Sequence, residues 1–134
     1  MAAFDEAKLT IGKTATVTTT VSTQNTASAV CSGTLDVFST PMMIALMESA
    51  ACEALRDALD ETQTSVGTRI AVDHMAASPL GAAIAATAAI TAVDGRMISF
   101  DVTAFDGETQ IGRGTHTRAI IDPVRFMAKL AARV

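Results

Sequence analysis

Between Pro41 and Cys52 the chain reads Pro-Met-Met-Ile-Ala-Leu-Met-Glu-Ser-Ala-Ala-Cys, and Glu48 is the one charged side chain in that stretch. Ser39-Thr40-Pro41 marks a helix start, with Thr40 as cap and Pro41 as the first helical residue. The helix is expected to run from Pro41 to about Leu59, becoming amphipathic only in its second half, where Glu53, Arg56, Asp57 and Asp60 occur. A helix that is apolar nearly all round belongs inside a protein rather than on its surface. The rest of the chain must then curl a sheet about it, or cover one side with a sheet and leave the other to a partner chain. Burying a lone carboxylate costs on the order of several kcal/mol unless a partner or a proton relieves it. Burial is also how carboxylates are tuned for acid–base work. Glu48 is therefore the first catalytic candidate; the structural alternative is a Glu that reaches a solvent-facing groove.

The remaining elements read mostly as strands. Residues Thr14 to Ser22 are rich in Thr and Val and suit an exposed or edge strand, and Thr23 to Asp36 reads as a loop or flap. From Val66 to His74 the alternation puts Val66, Thr68, Ile70, Val72 and His74 on one face, with Gly67, Arg69, Ala71 and Asp73 on the other. Ala82 to Val93 is Ala-rich, which favours helix. Its position between turns and its Ile84, Ala86, Ala88, Ile90 alternation instead predict a strand. Asp94-Gly95 and Asp106-Gly107 are hairpin signals on either side of a strand in which Ile98, Phe100, Val102 and Ala104 alternate with polar residues. A last strand is predicted from Gln110 to Ile121 and a short helix from Pro123 to about Ala132. The expected order is a strand, a long helix and four antiparallel strands in a meander, an α+β layer with the helix as filling, in one domain over residues 1–134.

Composition narrows the classes of function. The net charge of −4 disfavours a general nucleic-acid binder, although arginines gather late in the chain, at Arg96, Arg113, Arg118, Arg125 and Arg133. They suit either solvated edges or a locally held polyanion. No apolar run is long enough to span a bilayer. Asp5 and Glu6 precede any hydrophobic run, which argues against a signal peptide. Cys31 and Cys52 have no CxxC spacing and no His cluster beside them, so free thiols in a cytoplasmic protein are expected, with neither disulfide nor metal site.

Strand parity aims His74 at the face that packs on the helix carrying Glu48, so two ionisable groups from different elements enter one apolar interface. Thr40 and Glu48 are eight residues apart, about 12 Å along a helix at ~1.5 Å per residue. They cannot hydrogen-bond directly; either the substrate lies between them or a partner subunit supplies the second, which points to a dimer. In Ile111-Gly112-Arg113-Gly114-Thr115-His116-Thr117-Arg118 the alternation puts Gly112, Gly114, His116 and Arg118 on one face. No helix or Walker lysine follows, so this is not a phosphate loop. The glycines allow close approach of a backbone or ligand; His116 reads as structural, and Arg118 reads either as a solvated edge residue or as a pocket residue.

Val37-Phe38-Ser39-Thr40-Pro41, Glu48, Ser65-Val66-Gly67-Thr68 and Val72-Asp73-His74-Met75-Ala76-Ala77-Ser78-Pro79 resemble the fluoroacetyl-CoA thioesterase-like family. So do Val93-Asp94-Gly95-Arg96, Ala104-Phe105-Asp106-Gly107 and the run from Ile111 to Arg118, in the same order and spacing. The resemblance implies a hotdog fold, a curved antiparallel sheet wrapped round one long helix, working as a homodimer. It implies hydrolysis of an acyl-CoA thioester at Thr40, Glu48 and His74, with Gly67 and Arg118 lining the acyl end of the pocket. Glu48 would be nucleophile or general base, His74 would serve the leaving thiolate or the water, and Thr40 would position the thioester. A backbone N–H at the helix start or at Gly67 would face the oxyanion. No metal is required, and coenzyme A enters only as part of the substrate. The resemblance departs in one segment: members specialised for fluoroacetyl-CoA carry phenylalanines before the helix, whereas Ser22 to Val37 has no aromatic residue. A different short or medium acyl chain is expected. The competing readings are an enoyl-CoA hydratase and a non-catalytic acyl-CoA-binding dimer.

Overall fold

The Ala-rich segment is a strand, and it packs against the helix. The computed structural model describes residues 4–133; residues 1–3 and 134, the ends of the expected domain, lie outside them. The elements are β1 (Thr14–Thr20), α1 (Thr40–Leu55), β2 (Thr64–His74), β3 (Ala83–Asp94), β4 (Met97–Asp106), β5 (Thr109–Ile121) and α2 (Pro123–Arg133). On β3, Ile84, Ala86, Ala88 and Ile90 are at most 1% exposed, as are Ala50, Ala51 and Ala54 of α1. Small side chains in both elements let the helix settle into the sheet. Phe38, Met43, Met47, Leu55, Ile98, Phe100, Ile111 and Ile120 complete the core, and each fully buried residue of this size contributes roughly 1.5–3 kcal/mol.

The sheet is antiparallel, in the order β1-β3-β4-β5-β2. Only β3, β4 and β5 form the expected meander. β2 crosses to the far edge beside β5, and β1 pairs with β3, so β1 and β2 are both edges. The hairpins turn on Gly95-Arg96 and Gly107-Glu108, with the glycines at φ 60° and 58° in the first central position, where type II′ turns require glycine. α1 ends at Leu55, short of the expected Leu59, and passes into a 3₁₀ turn over Arg56–Ala58. It is also not enclosed all round. Met43, Met47, Ala50, Ala51, Ala54 and Leu55 are buried, whereas Pro41, Ala45, Ser49 and Cys52 are exposed.

The decisive irregularity is in β2. Gly67 pairs with Arg118 but Arg69 pairs with Thr117, so Thr68 is an extra residue in the ladder. Such a bulge reverses the alternation beyond it. Gly67 therefore shares the helix-facing side with Ile70, Val72 and His74, while Val66 and Thr68 face out, beside Phe126 of α2. The expected placement of Val66 with His74, and of Gly67 opposite, is corrected by this one residue.

The two glycines of β5 serve close approach in different ways. A β-carbon at Gly114 would overlap the Ala71 carbonyl oxygen, whereas one at Gly112 would meet the Met43 thioether at 2.5 Å. Backbone cannot yield and a Met side chain can. Gly114→Ala is expected to cost roughly 2–3 kcal/mol and Gly112→Ala less than about 1 kcal/mol, read from urea unfolding midpoints. Equal losses would contradict this packing.

Candidate active site

The start of α1 is tied to the segment that follows β2 by backbone pairing. Phe38 N–H donates to the Ser78 carbonyl at 2.9 Å, and Val37 bridges to Pro79. Ser39, not Thr40, is the cap: its backbone is extended (φ −80°, ψ 149°) and its Oγ accepts from Met42 N–H. The cap thus falls one residue before the expected position. That shift frees the Thr40 hydroxyl, which lies 2.7 Å from His74 Nδ1. His74 Nε2 is buried with no hydrogen-bond partner among the described residues. Burial holds the His74 imidazole below its ordinary 6.5, against a weaker upward pull from the Ala76 backbone. It is therefore neutral at pH 7. The pair opens on a recess of about 300 Å³ walled by Ala27, Ser32, Phe38 and Ala76.

Glu48 stands two turns further along α1, in a second group. Its side chain is 39% exposed, so the lone buried carboxylate expected from the sequence is corrected to a half-exposed, partnered one. Arg118, 6% exposed, donates through Nη1 to Glu48 Oε2 at 3.2 Å. The same guanidinium donates through Nε to Ser65 Oγ at 2.8 Å and through Nη2 to the Ser65 carbonyl at 3.1 Å. Glu48 Oε1 has no protein partner among the described residues. The bulge brings Gly67 directly beneath: a β-carbon there would lie 2.7 Å from Glu48 Oε2. Only glycine lets the carboxylate rest on the strand.

His116 belongs to this second group. Its Nδ1 must donate to the Arg69 carbonyl, 2.7 Å away, which leaves the Nε2 lone pair facing Arg118 Nη1 at 3.1 Å and Glu48 Oε2 at 3.9 Å. Burial, and the neighbouring Arg118 cation, hold it below 6.5, opposed by the Arg69 hydrogen bond and the Glu48 charge. The parity of His116 with Arg118 was legible in the sequence; its contact with Glu48 was not, because that depends on how far along β5 the helix lies.

The five candidates thus fall into two sets: Thr40 with His74, and Glu48 with Gly67 and Arg118. No hydrogen bond or ion pair joins the sets among the described residues. A hollow of about 590 Å³ on the outer face of the sheet, beside Asp73 and Arg113, contains none of the five. Cys31 and Cys52 are free and exposed. Among the described residues no three His, Cys, Asp or Glu side chains gather as a metal site, and no helix is long and apolar enough to cross a membrane.

The chain is similar to known proteins in sequence and fold. The family model FlK, fluoroacetyl-CoA-specific thioesterase, matches residues 21–124. The fluoroacetyl-CoA thioesterase of Streptantibioticus cattleyicolor is 43% identical over 95 residues, covering 71% of this chain and 68% of that protein. The crystal structure of a variant of the fluoroacetyl-CoA-specific thioesterase FlK is 34% identical and superposes with a TM-score of 0.87, covering 93% of this chain and 97% of that one. A hot-dog-like protein from Thermanaerovibrio acidaminovorans, 23% identical, has the same fold at a TM-score of 0.87, covering 96% of this chain and 95% of that one. The architecture, a curved five-stranded sheet about one long helix, is that of the hotdog-fold thioesterases. The chain belongs to the fluoroacetyl-CoA-specific thioesterase family.

The two neutral histidines make stability depend on pH. Each has a folded value below the 6.5 of the free imidazole, so between those values the unfolded chain binds more protons than the folded one. Their contribution is complete above pH 6.5 and is lost as pH falls through that window. Asp57 and Asp60, lowered from 3.8, act only in stronger acid. Urea unfolding between pH 8 and 5 is expected to show stability declining below about pH 6.5; a flat profile would contradict the burial of both rings.

Proposed function

We propose that this acyl-CoA thioesterase cleaves a short or medium acyl-CoA to the free acid and coenzyme A, with Glu48 as nucleophile or general base and His74 and Thr40 assisting. The observation that carries the reading is the state of Glu48: in this half-exposed side chain Oε2 is anchored by Arg118 above Gly67, while Oε1 has no protein partner among the described residues. A carboxylate held by one oxygen presents the other in a fixed direction, as attack on a carbonyl carbon or proton removal from water requires. As nucleophile, Oε1 bonds to the carbonyl carbon, the C–S bond breaks, and water then opens the anhydride. As base, Oε1 takes the proton of the attacking water and the C–S bond breaks from the tetrahedral adduct. In both routes the thiolate leaves toward His74, whose ring is fixed by Thr40 and relays the proton or orients the water. Gly67 and Arg118 form the acyl end of the site, and a backbone N–H at the helix start or at Gly67 meets the oxyanion, an effect worth roughly 3 kcal/mol. The reaction needs no metal or further cofactor.

Two copies complete the site. The eleven-residue strand β2 has an unpaired edge, and a long open edge is a template for a second strand. Pro41, Ala45, Ser49 and Cys52 leave the adjoining helix face uncovered. A homodimer joined there brings Glu48 of one chain toward the Thr40–His74 pair of the other. The reaction runs in the cytoplasm, on neither nucleic acid nor membrane. The segment before α1 carries no phenylalanine between Ser22 and Val37, so a short or medium acyl group other than fluoroacetyl is the expected substrate.

The test is release of free CoA thiol from a panel of acyl-CoAs, corrected for the exposed Cys31 and Cys52. Glu48→Gln preserves an acceptor for Arg118 and removes the reactive oxygen; it is expected to lower kcat by at least ~100-fold. Full turnover in that variant, or none by the native protein on any acyl-CoA, would overturn the reading.

A further inference from the structure

One buried titratable side chain beside Glu48 faces neither solvent nor the recess. His116 is 2% exposed, and its ring stacks on Phe100 at 6.1 Å between centroids. Both nitrogens are nonetheless committed. Nδ1 meets the carbonyl of Arg69, the residue next to the bulge, and Nε2 meets Arg118 Nη1. A carbonyl oxygen accepts only, so the ring is the Nδ1–H tautomer and its Nε2 lone pair accepts from the guanidinium. We infer that His116 is a positioning residue for catalysis: as the Nδ1–H tautomer it sets the plane of the Arg118 guanidinium and, through Arg118, the direction of the Glu48 carboxylate.

The geometry makes this more than filling. Arg118 reaches Glu48 and His116 with the same Nη1, while Nε and Nη2 are fixed on Ser65. Ser65 and Arg69 lie on either side of the Thr68 bulge, so the guanidinium and the imidazole are anchored to the two halves of one distorted strand. A ring with hydrogen on Nε2 would present a donor to a donor and turn Nη1 away from Glu48. The inference rests on the catalytic role of Glu48, which the thiol-release assay of Glu48→Gln tests separately.

The experiment compares His116→Phe, which keeps the ring and its stacking but removes both nitrogens, with His116→Gln, whose amide oxygen can accept from Arg118. His116→Phe is expected to lower kcat by about 10–100-fold with KM changed less than about threefold, and His116→Gln to recover part of that loss. Should His116→Phe fail to fold, ¹⁵N NMR of the native protein decides the matter. The Nδ1–H tautomer of His116 and slowly exchanging Arg118 guanidinium protons at pH 7 support the inference; the Nε2–H tautomer or a charged ring overturns it. Native kcat in a folded His116→Phe alongside an inactive Glu48→Gln would overturn the inference and leave the function standing. Native kcat in both variants would overturn the reading of Glu48 itself.

Discussion

A guanidinium removed from water must be matched by charge and by acceptors, or the fold loses several kcal/mol, roughly, to the unpaired ion. Arg118 meets that requirement through Glu48, Ser65 and His116. Each partner comes with a structural condition. Glu48 requires α1 to lie across this part of the sheet. Ser65 requires β2 beside β5. Gly67 must lack a side chain because the carboxylate occupies that volume. The ion pair is thus where helix, edge strand and bulge are brought into mutual register. Breaking it from the Glu48 side strands a buried cation, which is why an isosteric amide is the informative substitution.

Much of the layout was legible in the sequence. The Ile84-Ala86-Ala88-Ile90 alternation outweighed the helix propensity of alanine, because a half-buried strand must show period two whatever its residues prefer. Asp94-Gly95 and Asp106-Gly107 located both hairpins to within a residue. Pairing of distant strands was less accessible. Nothing local in Thr64–His74 says that β5 rather than β3 is its neighbour, since turn signals report only hairpins between consecutive strands. The bulge at Thr68 left no mark either, and a single inserted residue turned Gly67 inward and Val66 outward.

The candidate site is legible as a set of residue types and less so as a geometry. Thr40, Glu48 and His74 stood out as polar groups beside apolar segments. The sequence does not separate Thr40 from Ser39 as the cap, because the two are chemically equivalent caps and the choice between them rests on where the chain leaves its pairing with Ser78 and Pro79. Glu48 was expected to be buried because a helix apolar on all sides was expected to be enclosed on all sides. In the single chain one helix face is open. An apolar helix face and an unpaired strand edge lying side by side are features of an interface rather than of a finished surface.

The separation of the two polar pairs along α1 is the centre of this account: one chain holds both pairs, and the proposed dimer would bring Glu48 of one chain to the Thr40–His74 pair of the other. Mixed dimers test this directly. Glu48→Gln and His74→Ala chains, co-expressed with different tags, are each expected to be inactive as homodimers. If each site draws Glu48 from one chain and His74 from the other, every hybrid dimer contains one intact site. About half of randomly formed dimers are hybrids, so the mixture regains about a quarter of native thiol release. Hybrid dimers that form but show no activity beyond that of the two variants alone would contradict the shared site.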